Sequence, residues 1–535
     1  MNRREWRWVV LVTLVLVIAS SLPYLVAWMV RPAGTHFTGL LINPLDGHSY
    51  IAKMRQGLDG SWRFRLAFTP EPQEGAYLFL LHIALGHVAR WTGLPLIAVY
   101  HGARVLAGVV LLLVAYRFIT SLGGERGQHR LALLLVGVSS GLGWLVAPAG
   151  YLSSDLWIPE AFVFYSMLDT LHFPLSIALM LVVLMGLARP SREPGWREAL
   201  VAAMASVGLG VVQPFGVIPV YATLAVWLAL RWLRDRRVGW RRAGWTAAAG
   251  LVALAYPLYG ALAIQADPVL AGWSAQNQTP SPPIWDWLLS FGLVAALAVP
   301  GVATSVRRRT DGGLLLVAWV IAAGAGMYAP LALQRRLALG LQVPVALLAA
   351  AGWWQAIRPR LRTRLRGPVT VAMLGLSTLT NLFLVAMLVL AALRGEPRFY
   401  LSDGEWQALE WLRDAVDHDR VVLCAPQTGM FVPAWAGQRV VYGHPFETVD
   451  AERRKAQAEA YWSGEMGPTE RESFLRENRV RYVLVGPREM ESGERRLENG
   501  EWRMENGEWR VETAQQAGEL VFEAGDVSVY EVDGR

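Results

Sequence analysis

Apolar stretches about as long as a bilayer is thick recur through the first three quarters of this 535-residue sequence, and they constrain its fold more than any other feature. A helix needs roughly 20 apolar residues to cross the hydrocarbon. Segments 8–30, 95–119, 130–149, 173–188, 198–212, 214–231, 244–265, 286–304, 313–332, 337–357 and 368–393 answer that description. The expected fold is a polytopic α-helical membrane protein of about eleven spans, or twelve to thirteen if shorter apolar stretches are counted. A composition of 54% hydrophobic and 17% charged residues excludes an ordinary soluble enzyme. The pattern changes near Arg394–Arg398, so residues 1–395 are read as a multi-span domain and 396–535 as a soluble α/β domain. The basic head and the long run from Trp8 to Val30, with no small-residue cleavage site after it, read as an uncleaved signal anchor.

Arginine clusters set the orientation, because positive charge in short loops marks the cytoplasmic side. With the N-terminus inside, Arg117 to Arg130, Arg189 to Arg197, Arg231 to Arg242, Arg307 to Arg309 and Arg358 to Arg366 are all cytoplasmic. The outer face then receives a long first loop, 31–94, with 150–172, 266–285 and the C-terminal domain. Segment 76–91 is apolar but short, and a crossing there would invert every later loop, so it is taken as an interfacial or re-entrant helix. These clusters also account for the formal net charge of +7, since no basic stripe with interleaved aromatics points to nucleic acid. Tryptophans at span ends, such as Trp6, Trp28 and Trp353, form an interfacial belt. The single cysteine, Cys424, excludes an intramolecular disulfide framework and reads as a buried core thiol.

The outer loops carry the chemistry-bearing residues. INPLDGHSYIAKMRQG places Asp46, Tyr50 and Lys53 at i, i+4 and i+7 of a short helix from Pro44 to Leu58, with His48 beside them. Lys53 is one of only two lysines in the chain. An Asp in this position can also serve merely to cap the helix. The second outer loop, YLSSDLWIPEAFVFYSMLDTLHFPLS, adds Asp155, Glu160, Asp169 and His172, acids that are costly near a bilayer unless paired or functional. In LALQRRLALGLQVP, Arg335 and Arg336 lie at the outer end of a span against the charge rule. Adjacent guanidinium groups suit a phosphate, and one of them can equally bridge Asp155 or Glu160 to lock two helices. His172, in LHFP, fits capping or packing as well as a site.

These features together resemble the type-C (GT-C fold) integral-membrane glycosyltransferases, which use polyprenyl-phosphate-linked sugars. The resemblance rests on the first span, LDGHSYIAKMRQG in the first outer loop, SSDLWIPE in the second, QRR near the outer end of a late span, and the outer C-terminal domain. It implies an inverting transfer of a sugar from the lipid donor to an acceptor glycan, lipid or protein at the outer face of the cell membrane. It assigns Asp46 as the base or metal-binding acid, Asp155 or Glu160 as a second acid, and Arg335 and Arg336 as donor-phosphate ligands. His48, Tyr50, Lys53 and His172 are then candidates for holding sugar or lipid head. Some members carry two neighbouring carboxylates in the first loop, whereas Gly47 follows Asp46 here and the next acid is Asp59, which leaves a divalent metal an open question. The chemistry is consistent with such residues, since a carboxylate activates a hydroxyl and fixed cations receive the leaving phosphate.

The C-terminal region alternates helix and strand, from DGEWQALEWLRDAV through RVVLCA, RVVYGH, AERRKAQAEAYW, ERESFLREN and RYVLVG to a hairpin around AGD, and so predicts a parallel sheet with helices. It lacks a glycine-rich nucleotide loop. ENGEWR occurs twice, at 498–503 and 505–510, and reads as a turn-rich surface insertion. FVPAWAGQRVVYGHPFET is either a structural turn or a segment that brings His444 and Glu447 to the active site. QPF at 213–215 is expected to break a helical hairpin. Two other classes fit the hydropathy: a lipid or solute transporter, which should show inverted repeats that are not evident here, and a non-catalytic membrane scaffold.

The orientation is testable. In a Cys424→Ser background, cysteines at Asp59 and Asn277 should react with an impermeant thiol reagent in intact cells while one at Arg236 should not. Labelling of Arg236 alone inverts the topology.

Overall fold

A computed structural model of the chain describes residues 3–189, 193–237, 239–491, 494–496, 502–504 and 518–532. Most of both ENGEWR copies lies outside the described residues. Each segment expected to cross the membrane is helical. Among the described residues eight stretches are long and apolar enough to span: Arg3–Met29, Leu96–Ser121, Arg126–Ala149, Pro214–Asp235, Trp240–Ala266, Ile284–Arg308, Gln334–Arg360 and Thr363–Leu393. His172–Leu187 and Asp311–Met327 are apolar but shorter, and Trp196–Val212 is a 17-residue helix, so the expected eleven resolve into eight full-length spans and three short helices. The chain is a multi-pass membrane protein. Segment 76–91 becomes the 13-residue helix Leu80–Thr92, which is not among the spanning helices.

Two compact units divide the chain. The first comprises Met1–Val26, His101–Tyr259 and Gln278–Ala391; the second comprises Ala27–Tyr100, Gly260–Asn277 and Ala392–Arg535. In the first unit several helices are interrupted for identifiable reasons. Gln213 ends Trp196–Val212, a 3-10 turn at Pro214–Gly216 follows, and Val217–Asp235 returns, as proline's missing donor predicts. Between Arg126–Val138 and Gly143–Val146 the backbone leaves the helix, and Ser140 N instead donates to Ser377 O (2.6 Å) and Leu142 N to Leu289 O (3.0 Å).

The second unit is built on a five-stranded sheet in the order Arg439–Val440, Val421–Leu423, Val480–Val485, Val527–Val532, Gly518–Ala524. The first three strands run parallel, and the last two form the antiparallel hairpin read around AGD, so the sheet is mixed where a parallel one was expected. Alternation along the strands gives two apolar faces. Val422, Leu484 and Val529 pack with Ala408, Leu409 and Leu412 of helix Asp403–Ala415, whose start is fixed by a Ser402–Glu405 capping box. Val421, Leu423, Val483 and Val485 face Tyr461, Trp462, Phe474 and Leu475 of helices Ala451–Ser463 and Pro468–Glu477. Cys424 is buried in the first of these cores, as expected, and burial pushes its thiol well above the usual range.

The first loop belongs to this same unit. Thr35–Phe37 pairs antiparallel with Tyr400–Ser402, and helix Pro44–Leu58, with the bounds read from the sequence, packs along Leu80–Thr92. Glycine makes that approach possible. A methyl group at Gly57 would overlap Ile83 O, and one at Gly86 would overlap Met54 O. Gly86→Val should therefore force the helices apart and lower stability by roughly 1–3 kcal/mol or more, the range of overpacked cores. Gly102→Ala, where an added methyl meets nothing, should leave the melting temperature of the purified protein unchanged.

Candidate functional site

Helix Pro44–Leu58 sets the geometry in the second unit. Asn43 adopts the left-handed conformation (φ 43°, ψ 55°), one that Asn tolerates better than most residues, and Pro44 begins the helix. Asn43 thus occupies the cap position, and Asp46 lies within the first turn with its side chain 49% exposed. Its Oδ1 is 3.4 Å from Nε2 of His444, which is buried.

His444 is held by its own turn. Its Nδ1 accepts from the backbone amides of Phe446 (3.0 Å) and Glu447 (3.2 Å). Thr448 laces the same turn: its Oγ1 donates to Phe68 O (2.7 Å), and its amide donates to His444 O (2.9 Å). Where Gly443 crosses Gly429, a side chain on either would collide with backbone.

Lys53, two turns along from Asp46, is 1% exposed and donates to Glu447 Oε1 (2.5 Å) and Ser49 Oγ (2.9 Å). Phe79, itself left-handed at φ 51°, places its ring 4.6 Å from the ammonium, and the rings of Phe64 (5.4 Å) and Tyr50 (5.6 Å) complete an aromatic surround. Tyr50 stacks on His82 with ring centroids 4.8 Å apart. His48 is fully buried, donates from Nδ1 to Pro44 O (2.6 Å), and meets the ring of Phe431 edge-on at 4.7 Å. Burial pushes His48 down to about 4 and His82 down to about 3, so both rings are neutral at pH 7.

The remaining candidates lie in the first unit. Asp155 is buried, and its carboxylate accepts from Gly141 N (2.9 Å), Gly143 N (3.3 Å) and Ser153 Oγ (2.6 Å). It supplies acceptors to a backbone that has left the helix, a structural task. Burial raises its carboxyl above the usual range, while these hydrogen bonds pull the other way. Glu160 is 1% exposed and pairs with Arg336 Nη1 at 3.2 Å, the helix-locking alternative read from the sequence. Arg335 packs its guanidinium over Trp157 at 4.7 Å. His172 is buried beside Thr170 Oγ1 (2.9 Å) and against Phe173 (4.2 Å), in a packing position at the start of its helix.

Sequence reasoning missed Asp286, buried in the first unit, which accepts from Tyr151 OH (2.9 Å) and from Ser154 Oγ. An acid at the mouth of an apolar run, in PPIWDW, was the available signal. It also left Glu447 and His444 between two readings, and the structure puts both against helix Pro44–Leu58. Among the described residues no three His, Cys, Asp or Glu side chains converge as metal ligands, and no step is assigned to a metal.

Neither a protein-family model nor a curated protein sequence matches the chain. Solved structures do. ArnT from Cupriavidus metallidurans bound to undecaprenyl phosphate matches with a TM-score of 0.57 at 12% identity, covering 98% of this chain and 98% of that one. Its apo state matches with a TM-score of 0.53 at 12% identity, covering 98% and 97%. The archaeal oligosaccharyltransferase AglB from Archaeoglobus fulgidus, in complex with an inhibitory peptide and a dolichol-phosphate, gives 0.49 at 12% identity over 95% of this chain and 75% of that one. The fold of the chain is the type-C glycosyltransferase fold, a multi-span helical body with a C-terminal α/β region.

The two depressed imidazoles give a pH prediction. Because the folded state binds fewer protons than the unfolded chain between about pH 6.5 and 4, stability is full above 6.5 and falls as pH drops through that window, by up to about 3 kcal/mol for His48. Melting temperature measured from pH 7.5 to 4.5 should decline accordingly. His48→Asn, which keeps a donor toward Pro44 but cannot titrate, should melt lower at pH 7.5 and show a flatter decline.

Proposed function

We propose that this protein is a membrane glycosyltransferase that moves a sugar from a polyprenyl-phosphate donor to an acceptor hydroxyl on the outer face of the membrane. The reading rests on Asp46. It is a half-exposed carboxylate in the first turn of a rigidly packed helix, whereas Asp155, Glu160 and Asp286 are buried and engaged by neighbours in their own unit. The bound undecaprenyl phosphate of ArnT supports the choice of lipid donor.

The chemistry asked of the chain is modest. Asp46 takes the proton of the acceptor hydroxyl as its oxygen attacks the anomeric carbon, and the bond from that carbon to the phosphate oxygen breaks on the opposite side, inverting the configuration. The phosphate departs already negative, so it needs fixed cations and no proton. Arg335 and Arg336 are assigned that role. Arg336 shares its charge with Glu160, and Arg335 presents a guanidinium stiffened by Trp157. Tyr50, half-buried, is assigned to sugar or lipid head, while His48 and Lys53, being buried, are assigned to supporting the helix that carries Asp46. The N-terminus is assigned to the cytoplasm and the C-terminal region to the outside.

The test uses full-length protein in nanodiscs and a panel of undecaprenyl-phosphate-linked pentoses and hexoses, reading release of undecaprenyl phosphate by mass spectrometry. Asp46→Asn should lower release by at least ~100-fold, as loss of a general base does, with unchanged melting and unchanged undecaprenyl phosphate binding. Normal release with a lowered melting temperature would leave Asp46 a helix-start residue only. Arg335→Lys keeps the charge but loses the planar fork, and it should bind undecaprenyl phosphate more weakly at unchanged melting temperature.

A further inference from the structure

We infer that the first unit holds a binding site for a phosphate group, separate from the residues assigned to sugar transfer, in a cavity lined by Ser305 and Arg308. The cavity measures about 200 Å³ and lies where five helical runs meet: Leu96–Ser121, Arg126–Val138, Ile284–Arg308, Asp311–Met327, and Gln342–Ala351 with the π turn that follows it. At ~30 Å³ for a water-sized group, that space admits a phosphate with a small substituent and no acyl chain. It is not the place of Arg335 and Arg336. Roughly 20 Å of helix separates Gln342, which follows that pair in the chain, from Gln355 on the cavity wall.

Ser305 is the first sign of a ligand. It is 7% exposed and lines the cavity, and among the described residues its hydroxyl has no hydrogen-bond partner. Its neighbour Thr304 shows what such a hydroxyl ordinarily does in a helix, donating from Oγ1 back to Pro300 O (2.7 Å). A buried hydroxyl without a partner is costly, and it marks a place for a group that the chain itself does not supply. Arg308 is the second sign. It stands one turn further along the same helix, so the two side chains share a face. No Asp or Glu lines the cavity, and Asp311, which adjoins its wall at Gly312, is taken up by Arg231 (3.4 Å) and Arg234 (2.7 Å). Among the described residues Arg308 forms no ion pair, so its charge is uncompensated. Gln128 adds a further donor: its Oε1 accepts from Gln355 Nε2 (3.3 Å), which leaves its own NH2 to donate. A guanidinium, a hydroxyl and a carboxamide NH2 with no competing carboxylate suit the acceptor oxygens of a phosphate. Apolar walls from Ala132, Leu316 and Leu347 strengthen the field of the single charge.

A phosphate of this size reaches the cavity either as a free ion or as the headgroup of an anionic phospholipid, and two arms on the full-length protein distinguish them. In the first, protein in maltoside micelles free of phosphate is titrated with radiolabelled inorganic phosphate by equilibrium dialysis. In the second, phosphatidylglycerol is added instead and the bound lipid is counted by native mass spectrometry. Arg308→Gln should weaken binding by at least ~10-fold, the range for a hydrogen bond from a charged group, and Ser305→Ala should weaken it several-fold. Without ligand, Ser305→Ala should melt no lower than the wild type, because its hydroxyl has no partner in the protein to lose. Loss in the first arm assigns a free phosphate, and loss in the second assigns a lipid headgroup. Phosphate held by Arg335 and Arg336 would survive both substitutions, so only the part that they remove counts. Binding in neither arm, or binding that both variants leave at wild-type strength, overturns the site and leaves the cavity to water. Neither arm depends on catalysis, so the result stands whether or not Asp46 is a base.

Discussion

The pairing of Lys53 with Glu447 is the contact on which the second unit depends. An ammonium taken out of water is tolerable only with a counter-charge and saturated donors, and Lys53 has the carboxylate at 2.5 Å, the Ser49 hydroxyl and three aromatic faces around it. Removing one partner would leave a buried charge alone, a loss typically of about 3–5 kcal/mol. Because Lys53 lies on the helix that carries Asp46, and Glu447 lies in the turn that carries His444, this single pair ties that helix to that turn.

The first unit treats its acids differently. Asp155 serves backbone amides freed by a helix break, Asp286 gathers a tyrosine and a serine, and Glu160 takes an arginine. Each is buried and each is partnered, as acids in a bilayer-embedded protein must be. Acidity in a loop is therefore a poor guide to chemistry by itself. Exposure separates Asp46 from the others.

The local features were legible from sequence because local physics determines them. Proline followed by i, i+4, i+7 spacing gave helix Pro44–Leu58, QPF gave the break at 213–216, and AGD gave the terminal hairpin. The Arg336–Glu160 lock was legible as one of two alternatives, since a like-charged pair near acids permits either. Helix length was less legible, because hydropathy does not reveal that Trp196–Val212, His172–Leu187 and Asp311–Met327 are only 16 or 17 residues long, near the short end of what crosses a bilayer. The mixed sheet escaped because a hairpin can add to a parallel sheet in either sense. Contacts spanning hundreds of residues, such as Lys53 with Glu447, leave no periodic trace at all.

That long separation also governs how the protein is made. Lys53 emerges from the ribosome 394 residues before Glu447, which at ~5–20 residues per second is a delay of roughly 20–80 s. Throughout it, helix Pro44–Leu58 can pack along Leu80–Thr92, but its lysine has no counter-ion to be buried with. A chain released early would hold Asp46 on a helix whose seat had never been synthesised. The seat of this helix is thus completed last although the helix itself is translated among the first.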